Sequence, residues 1–106
     1  MTLQMSKAKQ KAIFEKLEEL NKLINFNHRA YNRIDKKYHS NSSKIRQLRN
    51  KLETLEGLER IRETDKLNSL LRENTNLYNM LNSYNDKLAE LQGKRIKLES
   101  KLDEFN

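Results

Sequence analysis

The side chains able to do chemistry are few and poorly placed for it. His28 and His39 stand eleven residues apart. On a helix that is three turns, too far along the axis to share a metal ion. No histidine pair falls at i, i+4, and the chain has no cysteine, so neither a thiolate zinc site nor a disulfide framework is available. Glu18-Glu19 and Asp103-Glu104 are adjacent carboxylates. Neighbours on a helix do not face each other, so they read as solvated charges rather than a general acid/base pair. Gly57 and Gly93 are isolated, which leaves no glycine-rich loop to cradle a phosphate. The sequence therefore predicts no catalytic residue, no cofactor site, no metal site and no small-molecule substrate.

Charge carries more information. The 106 residues hold 22 basic and 15 acidic side chains, a net charge of +7. Residues 1–51 carry +9 and residues 52–106 carry −2. Lys22, Arg29 and Lys36 recur every seven residues, which sets them on one line of a helix over ~21 Å. Arg33 lies beside that line. Such a stripe predicts docking to an acidic protein surface. Phosphates of a nucleic acid are the less favoured target, since lysine and arginine release counterions without any sequence motif. A plain charged exterior gives the same pattern. Tyr31 and Tyr38 sit among these cations, but their spacing assigns them to a buried seam rather than to base stacking.

The elements that position these groups follow from hydrophobic spacing. A first series runs Ile13, Leu17, Leu20, Ile24, Asn27, Tyr31, Ile34, Tyr38, Asn41, Ile45, Leu48, Leu52 and Leu55. A second runs Leu67, Leu70, Asn74, Leu77, Leu81, Tyr84, Leu88, Leu91, Arg95, Leu98, Leu102 and Phe105. Steps of four and three alternate in both, the a/d pattern of a coiled coil. Leu17, Ile24, Tyr31, Tyr38, Ile45 and Leu52 are a positions in the first. Leu67, Asn74, Leu81, Leu88, Arg95 and Leu102 are a positions in the second. The absence of proline and the two glycines suit long helices. The lean apolar content, 35%, is low for a globular core and close to what a seam requires.

From Leu52 to Leu67 is fifteen residues, where two heptads need fourteen. The extra residue falls within 56–66, a segment holding Gly57, which weakens a helix by ~1 kcal/mol relative to alanine. Thr64 or Asp65 is a candidate cap for a new helix. The chain either continues with altered supercoil or turns back as an antiparallel hairpin. His39-Ser40-Asn41-Ser42-Ser43 is the most turn-like stretch by composition. The heptad phase passes through it unbroken, which favours a continuous, weak helix.

A seam cannot bury itself, and each leucine or isoleucine buried is worth ~1.5–3 kcal/mol. The expected fold is all-α, a long coiled coil whose first reading is a parallel homodimer, with an antiparallel helical hairpin or three-helix bundle as alternatives. Its regions are a basic N-terminal segment (1–55), a slip or turn (56–66) and a leucine-rich C-terminal segment (67–106). Asn74 at a suits two strands in fixed register. Parallel pairing sets Lys51 against Glu56 and Lys94 against Glu99 of the partner chain, but also Lys44 against Arg49. Lys37, Lys44 and Lys51 form a run at g with no matching run of acids at e. Phe14, Leu23, Ala30, Leu71, Tyr78 and Met80 flank the seam and widen the apolar face, which points to more helices or to a heteromeric partner.

No stretch is long and apolar enough for a membrane helix. Residues 5–24 are amphipathic with four lysines, but their apolar side is in phase with the seam, so core packing is preferred to a membrane surface. No apolar stretch of a secretory signal follows Met1–Gln10, so Asn41-Ser42-Ser43 reads as a chance glycosylation sequon. The expectation is an intracellular protein, cytoplasmic or nuclear, that acts through oligomerisation and protein contact.

Overall fold

The computed structural model describes residues 6–104. It contains two helices, α1 (Lys7–Leu52) and α2 (Gly57–Asp103), joined by residues 53–56. Ser6 caps α1. Its Oγ accepts the Lys9 amide at 3.2 Å and its carbonyl accepts the Gln10 amide at 3.0 Å, which satisfies donors that a helix start leaves free.

Helix α1 runs unbroken through 39–43. Serine in a helix tends to compete for backbone hydrogen bonds. Here Ser42 does so harmlessly, donating from Oγ to the Tyr38 carbonyl at 3.0 Å. His39 Nε2 adds a 3.3 Å contact to Asp35 one turn back. The turn-like composition is therefore absorbed without a break.

The chain is divided into two compact units. One comprises residues 1–30 with 84–106, the other residues 31–83. In the first, Ile24 packs with Leu88 and Leu91, and Leu20 closes against them. Arg95 Nη1 donates to Asn21 Oδ1 at 3.3 Å. Going down α1 from 24 to 21 thus goes up α2 from 88–91 to 95, so the helices are antiparallel there. In the second unit Lys37 pairs with Glu73 and Lys51 with Glu63, again antiparallel. Its buried residues are Asn41, Ile45, Leu67, Asn74, Leu77 and Leu81.

The second unit contains the reversal. Residues 53–56 form the turn, with the Thr54 amide on the Lys51 carbonyl at 3.1 Å and the Leu55 amide on the Leu52 carbonyl at 3.4 Å. Arg60 Nη1 reaches back to the carbonyls of Leu52 and Leu55 at 3.2 and 3.4 Å, adding a donor to the last carbonyl of α1 and covering one in the turn. Gly57 has φ +66°, the only positive φ among the described residues.

Four expectations change accordingly. The uninterrupted helix that a parallel homodimer requires is replaced by the antiparallel hairpin weighed beside it. The break lies at 53–56 and meets the expected 56–66 segment only at Glu56. Thr64 and Asp65 are not caps: both lie inside α2, where Thr64 Oγ1 donates to the Arg60 carbonyl at 2.7 Å. Lys51, assigned to Glu56 of another chain, pairs with Glu63 of its own at 3.5 Å.

Candidate interaction surfaces

Every seam residue named from the sequence and lying in the described range is buried or half-buried. In the first unit Ile24, Leu88 and Leu91 are buried, while Ile13, Leu17, Leu20, Tyr84, Leu98 and Leu102 are half-buried. In the second unit Ile45, Leu67, Asn74, Leu77 and Leu81 are buried, while Tyr31, Ile34, Tyr38, Leu48, Leu52, Leu55 and Leu70 are half-buried. Two helices cover a narrow stripe fully and its shoulders only in part, which accounts for the large half-buried share. Phe105 falls outside the described residues.

Three asparagines share this seam. Asn27 donates to the Leu23 carbonyl at 2.8 Å and so is partnered locally. Asn74 is 8% exposed, and its Nδ2 donates across the helix pair to Ser42 Oγ and to the Tyr38 carbonyl. Asn74 Oδ1 and Asn41 Nδ2 have no hydrogen-bond partner. Asn41 is 4% exposed and helical, so the glycosylation sequon is closed in the folded chain.

Two of the three lysines at g, Lys37 and Lys51, find acids inside the chain; Lys44 forms no ion pair among the described residues. Lys37 Nζ lies 2.9 Å from Glu73 Oε1, and Glu73 is itself a g position. The Lys37 ammonium, aided by Lys44, holds the Glu73 carboxyl below the ordinary glutamate range. Asn41 stands near the same carboxylate without a hydrogen bond of good geometry. Burial pushes the Glu63 carboxyl up, but Lys66 and Lys51 together outweigh it, so Glu63 also titrates below that range. Of the lysine run only Lys37 meets an acid at g: an antiparallel pair sets g against g, and Glu73 stands there, whereas Lys51 reaches Glu63 at a d position.

The basic stripe behaves differently. Lys22, Arg29, Arg33 and Lys36 are all exposed, and none forms an ion pair among the described residues. Lys22 and Arg29 belong to the first unit, Arg33 and Lys36 to the second.

Large apolar side chains are exposed as well. The first unit presents Phe14, Leu23, Phe26 and Ile96, and the second presents Leu58, Ile61, Tyr78 and Met80. Phe14, Leu23, Tyr78 and Met80 lie at the shoulder positions identified from the sequence. Leu71 is half-buried and Ala30 buried. Phe26, Leu58, Ile61 and Ile96 fall outside the heptad pattern, so the spacing gave no sign of them.

Each unit carries open grooves between its helices. In the first unit a groove of about 380 Å3 has Leu20, Leu23 and Leu98 beside Lys16, Lys97 and Lys101. In the second a groove of about 630 Å3 is lined by Tyr38, Ile45, Leu71 and Tyr78, with Arg46 and Arg49 among its edges. Tyr38 and Tyr78 have ring centroids 6.3 Å apart. Arg46 and Arg49 lie outside the basic stripe; pairing α1 with α2 sets them beside two tyrosines.

His28 and His39 are exposed. Among the described residues no three metal-ligating side chains stand together, and no helix is long and apolar enough to cross a membrane. No family model, curated protein or solved structure matches the chain.

Proposed function

We propose that this chain is a non-enzymatic helical module for oligomerisation and protein interaction, and that its basic face docks an acidic partner. The observation carrying the reading is the contrast between two sets of cations on α1. Lys37 and Lys51 are neutralised by Glu73 and Glu63 of the same chain, whereas Lys22, Arg29, Arg33 and Lys36 stand exposed without ion pairs among the described residues. Charge beyond what the hairpin uses for its own pairing is free to steer a partner.

Exposed apolar surface supports a partner too: eight large apolar side chains are exposed, four in each unit.

The test is binding of fluorescent acidic helical peptides, with duplex and single-stranded oligonucleotides in parallel. Replacing Lys22, Arg29, Arg33 and Lys36 by glutamine is expected to weaken peptide binding while leaving helicity unchanged. Salt-sensitive binding of oligonucleotides alone would replace this reading with the nucleic-acid one. Binding of neither would end both.

A further inference from the structure

We infer that the groove of the second unit, floored by Ile45 and Leu71 and walled by Tyr38 and Tyr78, receives an acidic amphipathic helix of a partner protein, with Arg46 and Arg49 gripping its carboxylates. The inference deepens the proposed function and rests on it.

Composition selects the groove. Tyrosine and arginine are the residues that most often dominate binding energy at interfaces, and this groove has two of each. Tyr78 is 53% exposed, so a large, rigid, amphipathic ring is offered to solvent beside an apolar floor. Ile45 is buried and Leu71 half-buried. A third helix presenting residues at i, i+3, i+4 and i+7 would complete the cover that two helices leave partial.

Charge selects the occupant. The groove lining contains two arginines and no carboxylate. Arg46 and Arg49 are exposed and form no ion pair among the described residues. Guanidinium groups match carboxylates in two-pronged geometry. A second copy of this chain fits poorly. A two-fold dimer sets the same patch against itself, which would bring two arginine pairs together with no carboxylate in the groove lining between them. A nucleic acid could use the arginines, the tyrosines and the polar Ser42, Asn50, Asn74 and Thr75 of the lining, but it has no apolar side chain to set on Ile45 and Leu71.

The test uses the full chain and a panel of acidic amphipathic helical peptides, with leucine at i, i+3, i+4 and i+7 and glutamate at the flanks, read by anisotropy and by amide chemical shifts. Matched peptides with lysine for glutamate, single-stranded oligonucleotides and unlabelled chain alone serve as the other arms. The expected result is binding of the acidic peptides with shifts at Ile45, Leu71 and Tyr78. Affinity should drop on the order of tenfold or more in the Arg46→Glu, Arg49→Glu double variant, and also drop in Tyr78→Ala. All three sites are exposed, so circular dichroism should remain unchanged. Acidic-peptide binding that survives the double variant but is lost when Lys22, Arg29, Arg33 and Lys36 become glutamine would overturn the groove and leave the basic-face reading standing. Failure of every acidic peptide to bind would overturn both. Groove shifts produced by the oligonucleotide, or by self-association on concentration, would assign the groove to those occupants instead.

Discussion

Asn74 on α2 holds Ser42 on α1 through a 3.2 Å hydrogen bond from Nδ2 to Oγ. The same nitrogen reaches the Tyr38 carbonyl at 3.3 Å, to which Ser42 Oγ also donates at 3.0 Å. The network joins a residue chosen from the heptad pattern to the stretch that looked most like a turn. Ser42 is accommodated in a helix because its hydroxyl has both an acceptor one turn back and a donor on the opposite helix. The cost is on the other side of the amide, where Asn74 Oδ1 is buried without a partner.

Asn74→Leu is therefore expected to raise the melting temperature. Leucine removes the unpaired acceptor along with the two donated bonds, and the Tyr38 carbonyl keeps the Ser42 hydroxyl. Exchange of a half-satisfied buried polar group for an apolar one of similar size is neutral to favourable, here on the order of 1 kcal/mol. Register should suffer, since the seam would no longer penalise a slipped pairing. Paired spin labels across α1 and α2 of the second unit would then show a broader distance distribution. A lower melting temperature with an unchanged distribution would show that Asn74 acts as a stabiliser and not as a register device.

The heptad spacing made the seam legible because burial leaves a periodic trace in one chain whichever way its partner runs. Ile24, Leu88 and Leu91 occupy buried positions in a parallel or an antiparallel pair alike. Direction was written more faintly, in the facing g positions of Lys37 and Glu73. The break falls earlier than the heptad count places it because Gly57 does more than weaken a helix: it supplies a positive φ. Thr64 and Asp65 looked like caps, but ten residues of helix from Gly57 onward are held by Arg60 and by the Lys51–Glu63 and Lys66–Glu63 contacts. The groove was not legible, since Arg46 and Tyr78 become neighbours in it only once α2 folds back on α1.

Stability is expected to fall with acid through a defined pair of carboxylates. Glu63 and Glu73 both titrate below the ordinary glutamate value in the folded chain. A depressed folded pKa means that their contribution is fully present above the unfolded value, near 4.3. It is lost as pH falls from there through the lower folded value. Melting curves from pH 7 to pH 3 should show this decline, and Glu63→Gln with Glu73→Gln should flatten it. Raising salt to about 0.5 M should flatten it too, because Lys37 and Lys51 are exposed and their attraction is screened. A decline of equal steepness in the double variant would assign it to other carboxylates.

The first unit's core is small, which makes single truncations costly. Leu91 is 2% exposed and packs with Ile24 and Leu88. Leu91→Ala is expected to cost about 2–5 kcal/mol, from lost burial and the cavity left behind. Ile96, on the same helix, is 59% exposed, and Ile96→Ala should cost less than about 0.5 kcal/mol. Chemical denaturation of the two variants checks the contrast. Equal effects would mean that Ile96 is covered in solution by another copy, and concentration dependence of the Ile96→Ala transition would then reveal it.

The two glycines should respond to alanine with opposite signs. A Cβ at either would meet nothing within 4 Å, so space does not separate them; backbone does. Gly57 opens α2 at φ +66°, where an L residue pays roughly 1–2 kcal/mol. Gly57→Ala should destabilise by that amount, and Gly57→Asn by less, since asparagine tolerates this conformation. Gly93 lies inside α2, with no positive φ. Gly93→Ala should stabilise by about 0.5–1 kcal/mol by restricting the unfolded chain and favouring helix. Urea titrations decide it. A stabilising Gly57→Ala would mean that residues 53–56 do not form the turn and that α1 runs on into α2.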